Sequence, residues 1–301
     1  MSIRRKALKI LLLATRRNSE KFVRESDIIG NRKFLERAMG IPLLSYPSRK
    51  YDVIAGTLPA LWVYPFKSRP GPVILYLHGG GYVIGSPSTH LSLVARILRH
   101  TGGRALLLDY RLAPENPFPA QREDACEAYK WLLESGIKSS EIVIAGDSAG
   151  GGLTVATVQS LRDTGVPLPA CCVCLSPWTD MSISGASITN KAKRDVMLTK
   201  EIILFYAKAF AGSKSLSDPE ISPLFNDMHC LPPFLIQVGS DEILLDDSVR
   251  LAEKIKSAGG QVDLNIYSKM FHCFQVAAGV LQPAREALRE MASFINDNTG
   301  R

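Results

Sequence analysis

The 301-residue sequence has no uninterrupted apolar segment long enough to cross a bilayer. The apolar run at residues 10–14 ends at Arg16 and Arg17, so it is shorter than a signal peptide or a membrane-spanning helix requires. Helical spacing places one apolar set opposite the cations: Ile3, Ala7, Ile10, Leu11 and Ala14. That face carries neither Trp nor Phe, so we expect an amphipathic helix that covers part of the protein rather than a membrane surface.

Beyond residue 24 the chain carries no net charge. Residues 1–24 hold eight Lys and Arg against a single Glu, which equals the formal charge of +7 for the whole sequence. The remainder is balanced, so the basic stripe of a nucleic-acid-binding domain is absent. We expect no nucleic-acid partner and no stable membrane insertion.

Zinc-ligand spacing and phosphate-binding fingerprints are absent as well. Six cysteines are present, but three fall within residues 171–174, and no His or further Cys follows at zinc-site spacing. The glycine-rich stretches match neither the Walker pattern nor the dinucleotide fingerprint. We therefore expect reduced core thiols, no metal and a cytoplasmic location.

Short apolar runs alternate with longer helical patterns through the rest of the chain. Runs typical of strands buried on both faces occur at residues 73–77, 105–108, 142–145, 171–175 and 234–238. Helical patterns occur at residues 120–133, 149–162 and 246–258. This alternation predicts an α/β fold with a mostly parallel central sheet flanked by helices.

The ends of the sheet and two further segments complete this prediction. Residues 51–66 suggest a hairpin that turns at Gly56, and the alternation at residues 262–267 suggests an edge strand before a last helix at residues 283–296. Residues 1–46 and 181–215 are helical by pattern but do not fit the sheet. Because ligands bind beyond the carboxyl ends of parallel strands, we expect these two segments to form a cap over a core of residues 47–180 and 216–301. Helices that decorate the surface far from the site are the alternative.

The stretch Gly146-Asp147-Ser148-Ala149-Gly150 lies between a predicted strand and a predicted helix. It matches the G-x-S-x-G nucleophile elbow, a turn so sharp that the flanking positions must be glycine or similarly small. An ordinary glycine-rich turn is the alternative, but the strand before it and the helix after it favour the elbow. Ser148 is therefore the predicted nucleophile.

The stretch His78-Gly79-Gly80-Gly81 follows a predicted buried strand. A serine hydrolase needs backbone N–H groups that stabilise the oxyanion of its tetrahedral intermediate, and glycines leave such groups accessible. We predict an oxyanion hole made by the N–H groups of Gly79, Gly80 and Ala149. Tyr82, just after the glycines, is predicted to border the substrate pocket.

A general base and a carboxylate must accompany Ser148. His272 follows the predicted edge strand, where a loop can return over the elbow, and the other four histidines are interpreted as structural or solvated. Asp241 follows the apolar strand at residues 234–238 and is the predicted acid, with Glu242 as the alternative. The order Ser148, Asp241, His272 is that of α/β-hydrolases.

Taken together, these motifs resemble the bacterial hormone-sensitive-lipase-like (family IV) esterases of the α/β-hydrolase superfamily. The resemblance runs from about residue 64 to the last helix and includes residues 78–81, 109–120 and 146–150 with Asp241 and His272. It implies an α/β-hydrolase fold with a helical cap, cofactor-free hydrolysis of carboxylic esters, and in many members a homodimer. Residues 176–180 and 239–247 look most like the branch of monoterpene ε-lactone hydrolases.

The predicted function is a serine carboxylesterase that hydrolyses short- to medium-chain esters through an acyl-enzyme intermediate. Five cap residues are candidates either for an acyl pocket or for packing within the cap: Met197, Leu198, Phe205, Tyr206 and Phe210. Lactone hydrolysis and aryl-amide deacetylation with the same residues are alternatives. A non-catalytic small-molecule receptor on the same fold is a further alternative, although receptors that resemble this family lack the histidine.

Overall fold

The computed structural model describes residues 3–39, 46–67 and 69–300. Its helices are α1 (Ile3–Glu25), α2 (Ile28–Met39), α3 (Pro87–Thr101), α4 (Ala120–Glu134), α5 (Ala149–Asp163), α6 (Ser187–Asn190), α7 (Lys200–Ala211), α8 (Leu245–Ser257) and α9 (Gln282–Asn298). Its strands are β1 (Arg49–Ala55), β2 (Leu58–Tyr64), β3 (Val73–Leu77), β4 (Arg104–Leu108), β5 (Ile142–Asp147), β6 (Cys171–Leu175), β7 (Phe234–Gly239) and β8 (Val262–Tyr267).

These strands form one sheet of eight strands in the order β1-β2-β4-β3-β5-β6-β7-β8. The strands from β4 to β8 along this order pair in parallel, whereas β2 runs antiparallel to both of its neighbours. The mostly parallel sheet, the hairpin at Gly56 and the edge position of β8 are confirmed. The carboxyl ends of β3, β5 and β7 therefore meet at one edge of the sheet, as in other open parallel sheets.

The central strands are buried on both faces because helices cover the sheet from each side. Along β3, Leu75 packs into the cluster under α4, α5 and α8, whereas its neighbours Ile74 and Tyr76 pack into the cluster under α3 and α9. Both clusters need apolar side chains, so a strand between them reads as a continuous apolar run. This rigid core fixes the loops at the carboxyl edge.

The segments predicted to form the cap contribute α1 and α2 from the N-terminal part, and α6 and α7 from the insertion between β6 and β7. Helix α1 packs against α2 and α7, and α2 packs against α3. Thr199 stabilises the start of α7, because its hydroxyl accepts a hydrogen bond from the backbone N–H of Ile202. The two segments are thus joined to each other and, through α3, to the core.

Helix α1 is amphipathic, but it does not bury the predicted face. Leu8 and Leu12 are buried, whereas Ile10 is 68% exposed and Ala14 is also exposed. The reason is that residues 10–13 are apolar on every side of the helix, so spacing alone cannot select the buried face. The helix instead turns its leucines toward the interior beneath it.

Parts of the predictions for the N-terminal segment fall outside the described residues. These parts are the side chains of residues 3–7 and of Lys9, and the chain at residues 40–45 next to the predicted boundary at residue 46. Within the described ranges, no helix combines the length and the apolar character needed to cross a membrane.

Candidate active site

Ser148 lies on a sharp turn between β5 and α5. Its backbone has φ 54° and ψ −120°, a conformation that L-residues rarely adopt. A Cβ on Gly146 would lie 2.3 Å from the carbonyl oxygen of Gly150, and a Cβ on Gly150 would lie 1.9 Å from the carbonyl oxygen of Leu77. The turn therefore requires both flanking glycines, which is the physical reason for the G-x-S-x-G spacing.

His272 reaches this serine from the loop after β8. Its Nε2 lies 2.9 Å from Ser148 Oγ, within hydrogen-bond distance. The histidine is buried, and it directly precedes Cys273, whose positive φ of 51° turns the chain back toward the core. The structure thus brings together two residues that are 124 positions apart in the sequence.

The carboxylate that contacts the imidazole belongs to Glu242, and the prediction of Asp241 as the acid is wrong in this geometry. Glu242 Oε2 accepts a 2.7 Å hydrogen bond from His272 Nδ1. The other carboxylate oxygen, Oε1, accepts from the Ser176 hydroxyl at 2.8 Å and from the Gly239 N–H at 2.7 Å. Glu242 is fully buried and is held by three hydrogen bonds.

Asp241 points away from the imidazole. Its side chain is 26% exposed and lies 3.5 Å from Arg194 Nη1. Asp241 is half-buried, whereas Glu242 and the two residues after it are all buried, so burial begins one residue later than the prediction assumed. The available signal was the buried pair Ile243 and Leu244, which continues inward from Glu242.

The pKa of His272 is raised above its ordinary value of 6.5. Burial by itself would lower this pKa, but the negative charge of Glu242 and its hydrogen bond outweigh burial, with smaller contributions from Asp195 and Asp147. The surroundings therefore stabilise the imidazolium, which is the form that a general base reaches after it has taken a proton.

Asp195, which the sequence analysis did not single out, connects the insertion to the loop that carries Glu242. Its Oδ2 accepts from the backbone N–H of Ile243 at 2.9 Å, and its own carbonyl oxygen accepts from Arg16 Nη1 at 2.5 Å. Burial raises the pKa of Asp195. Asp195 therefore links helix α1 and the insertion to the loop that carries Glu242.

The oxyanion-hole prediction is wrong for Gly79. The Gly79 N–H donates to Asp147 Oδ1 at 3.1 Å and lies 3.3 Å from His90 Nε2, so it is already engaged. Gly80 and Gly81 line the cavity beside Ser148. Among the described residues, no acceptor is recorded for the N–H groups of Gly80, Gly81 or Ala149.

Asp147 is a second residue that sequence reasoning missed, although it stands inside the elbow motif. Besides the Gly79 N–H, its carboxylate accepts from the Tyr76 hydroxyl at 2.8 Å and lies 3.2 Å from His90 Nε2. Burial would raise the pKa of Asp147, but the charge of His90 and these hydrogen bonds lower it to about 2. The carboxylate thereby ties the glycine loop to the strand before the nucleophile.

A cavity of about 160 Å³ opens beside Ser148 and His272. Its walls are mainly apolar and come largely from α1, α2 and the insertion between β6 and β7. These elements contribute Leu8, Leu12, Phe34, Leu35, Met197 and Leu198. Of the five cap residues singled out from the sequence, Met197, Leu198 and Tyr206 line this cavity, whereas Phe205 and Phe210 do not.

The predicted position of Tyr82 at the substrate pocket is wrong. Its ring is 1% exposed and is not part of the cavity wall. It stacks on Phe210 with ring centroids 3.9 Å apart and an interplanar angle of 13°, and it lies 6.2 Å from Trp178. Tyr82, whose backbone has a positive φ of 64°, therefore packs against the insertion through Phe210 of α7.

Comparison with known proteins identifies the family of the chain. A family model described as the alpha/beta hydrolase fold matches residues 74–276. An acetyl-hydrolase of Streptomyces hygroscopicus is 41% identical over 248 residues, which cover 82% of this chain and 83% of that protein. An esterase of Acinetobacter venetianus is 35% identical over 223 residues, 74% of each protein.

Solved structures narrow the family further. An esterase from the bacterial hormone-sensitive lipase family superposes with a TM-score of 0.88 at 41% identity, covering 95% of this chain and 99% of that one. The protein EstE5 superposes with a TM-score of 0.88 at 36% identity over 100% of both chains. The chain therefore belongs to the α/β-hydrolase superfamily, as a carboxylesterase of its hormone-sensitive-lipase family.

Proposed function

We propose that Ser148, His272 and Glu242 are the nucleophile, general base and acid with which this carboxylesterase hydrolyses its substrates. The observation that carries the proposal is the continuous hydrogen-bond chain through the imidazole, 2.9 Å from Ser148 Oγ to Nε2 and 2.7 Å from Nδ1 to Glu242 Oε2. A serine hydroxyl becomes a useful nucleophile only when a positioned base takes its proton. Glu242 fixes the required tautomer of that base.

In the proposed first step, His272 Nε2 takes the Ser148 proton while Oγ attacks the ester carbonyl carbon. The imidazolium that forms is stabilised by Glu242 and then protonates the leaving alcohol. In the second step, His272 takes a proton from water, the resulting hydroxide attacks the acyl-enzyme, and the proton returns to Ser148 as the acid leaves.

We further propose that the oxyanion is bound by the N–H groups of Gly80, Gly81 and Ala149. Support comes from the cavity position of both glycines and from the engagement of the Gly79 N–H with Asp147. Ala149 begins α5, where the helix dipole adds positive potential. Each such donor contributes about 10²- to 10³-fold to turnover in related chemistry.

We infer a short- to medium-chain acyl preference from the small, apolar cavity. About 160 Å³ of space lined by leucines and methionines accommodates a few methylene groups more readily than a long triglyceride chain. The cap over the cavity is proposed to consist of residues 1–46 and 181–215, since α1, α2 and the insertion all contribute to the wall of the cavity. The family resemblance adds a homodimer to the proposal, and the cysteine usage adds a cytoplasmic location.

Lactones and aryl amides are proposed as secondary substrates. Both present an acyl carbon to the same nucleophile, and residues 176–180 and 239–247 resemble the ε-lactone hydrolase branch. One relative is named an acetyl-hydrolase, which fits a small acyl group. A panel of linear esters, ε-lactones and acetanilides would rank the three classes by kcat/KM.

The assignment of Ser148 is tested with a p-nitrophenyl butyrate assay and an organophosphate titration. Ser148→Ala should lower kcat by about four to six orders of magnitude and abolish stoichiometric covalent labelling. Ser213→Ala, a change at an exposed serine, is the matched control and should leave both unchanged. Labelling or near-normal turnover in Ser148→Ala would overturn the assignment, and an unlabelled wild-type protein would favour the non-catalytic receptor.

A further inference from the structure

Asn31 on α2 is a buried polar residue in the mainly apolar wall of the cavity. It is 2% exposed and lines the same cavity as Ser148 and His272. Its Nδ2 donates a 2.5 Å hydrogen bond to the Tyr206 hydroxyl on α7. Its Oδ1 is buried, and no donor among the described residues reaches it.

Tyr206 lies between the Asn31 amide and the glycine loop beside Ser148. The Tyr206 ring packs against the glycine loop so closely that a Cβ on Gly81 would lie 2.3 Å from Tyr206 Cδ2. Tyr206 is buried and also lines the cavity. The Asn31–Tyr206 pair therefore forms a polar spot on the cap side of the cavity, next to the loop proposed to bind the oxyanion.

A buried acceptor that no donor among the described residues reaches is unfavourable, and a donor on a bound molecule would satisfy it. The hydrogen bond to the Tyr206 hydroxyl restrains the other end of the amide. A restrained acceptor in a mainly apolar wall discriminates strongly between molecules that carry a matching donor and those that do not.

We propose that Asn31 is a specificity-determining residue whose Oδ1 accepts a hydrogen bond from an O–H or N–H group of the substrate. The preferred substrates are then carboxylic esters that carry a hydroxyl or amide group, rather than purely aliphatic esters of equal length. This inference rests on the proposed site at Ser148 and adds the chemical class of the molecule bound there.

Because Oδ1 can only accept a hydrogen bond, it distinguishes substrate groups that donate one from groups of similar size that do not. A hydroxyl group donates to Oδ1, whereas a methoxy group of similar position and size can only accept and gains nothing there. The donor can belong to the acyl part or to the alcohol part of the ester. Both sources share the same chemistry, and a substrate series can separate them.

The test compares kcat/KM for pairs of esters in the wild type and in Asn31→Leu. The acyl series pairs p-nitrophenyl butyrate, hexanoate and octanoate with their terminal hydroxy and methoxy analogues, and the alcohol series pairs butyl butyrate with 4-hydroxybutyl butyrate. The wild type should prefer at least one hydroxy ester over its alkyl and methoxy partners by about tenfold or more, and Asn31→Leu should remove most of that preference.

Thr15→Val is the matched control, since Thr15 lines the same cavity but its hydroxyl already donates to the Leu11 carbonyl oxygen at 2.9 Å. It should retain the hydroxy preference. Stoichiometric organophosphate labelling of each variant checks separately that the proposed site at Ser148 is intact.

Three results would overturn the role of Asn31: no hydroxy preference in the wild type, an equal preference for methoxy esters, or a preference that survives in Asn31→Leu. Loss of labelling in the wild type would instead refute the site itself, so the two failures are distinguishable.

Discussion

Glu242 holds His272 through a 2.7 Å hydrogen bond, while its neighbour Asp241 faces Arg194 on the outside of the same turn. The two carboxylates are adjacent in sequence but differ in burial, since Glu242 is fully buried. This difference makes the two residues a matched pair for testing which carboxylate serves the imidazole.

Glu242→Gln should lower kcat for p-nitrophenyl butyrate by about 10²- to 10⁴-fold, because the amide no longer stabilises the imidazolium. Asp241→Asn should stay within about threefold of the wild type, because its carboxylate makes no contact with the imidazole. Steady-state kinetics on both variants provides the measurement. The reverse ranking would restore Asp241 as the acid.

The acid limb of the pH profile reports on the same contact. His272 must be neutral to accept a proton, and its pKa is raised above 6.5 mainly by Glu242 against the opposing effect of burial. The wild-type kcat/KM should therefore fall as the pH drops through a value above 6.5. In Glu242→Gln burial is less opposed, so the limb should move to lower pH, and an unmoved limb would contradict this account.

Asp147 should contribute to stability in a pH-dependent way. Its folded-state pKa of about 2 lies below the ordinary value of 3.8, so the carboxylate stabilises the fold above about pH 4 and this contribution disappears as the pH falls toward 2. The size of the shift corresponds to about 2 kcal/mol.

Asp147→Asn should accordingly lower the free energy of unfolding in urea by about 2 kcal/mol at pH 7, with a smaller difference at pH 3. Turnover should also fall, since the Gly79 N–H loses a charged acceptor and the glycine loop loosens. Asp52→Asn, at an exposed position in β1, is the control. A difference between wild type and Asp147→Asn that is equal at both pH values would contradict the linkage.

The sequence predicted the core well because its strands are buried on both faces and therefore appear as continuous apolar runs. The elbow was predictable for a similar reason, since Gly146 and Gly150 are required by backbone contacts within the turn. Both patterns depend on local sequence, so they can be recognised without knowledge of distant residues.

Among the incorrect predictions, three show the effect of distant contacts. The Gly79 N–H is engaged by Asp147, 68 positions away, and the Glu242 side chain is selected by Ser176 and His272. Likewise, the buried face of α1 is set by the cavity beneath it. In each case several orientations satisfy the local pattern, and only the tertiary partner selects one.

Variants of Leu198 and Tyr82 distinguish the effect of cavity shape on substrate preference from the effect of core packing on stability. Leu198 lines the cavity, so Leu198→Phe should shorten the preferred acyl chain and lower the kcat/KM ratio of p-nitrophenyl octanoate to butyrate by about tenfold. Tyr82 stacks on Phe210 away from the cavity, so Tyr82→Leu should keep that ratio while lowering the free energy of unfolding by about 2 kcal/mol. A residue that does not contact the substrate has no direct means of discriminating acyl length. A changed chain-length profile in Tyr82→Leu, together with an unchanged one in Leu198→Phe, would therefore show that Tyr82 and not Leu198 lines the acyl pocket.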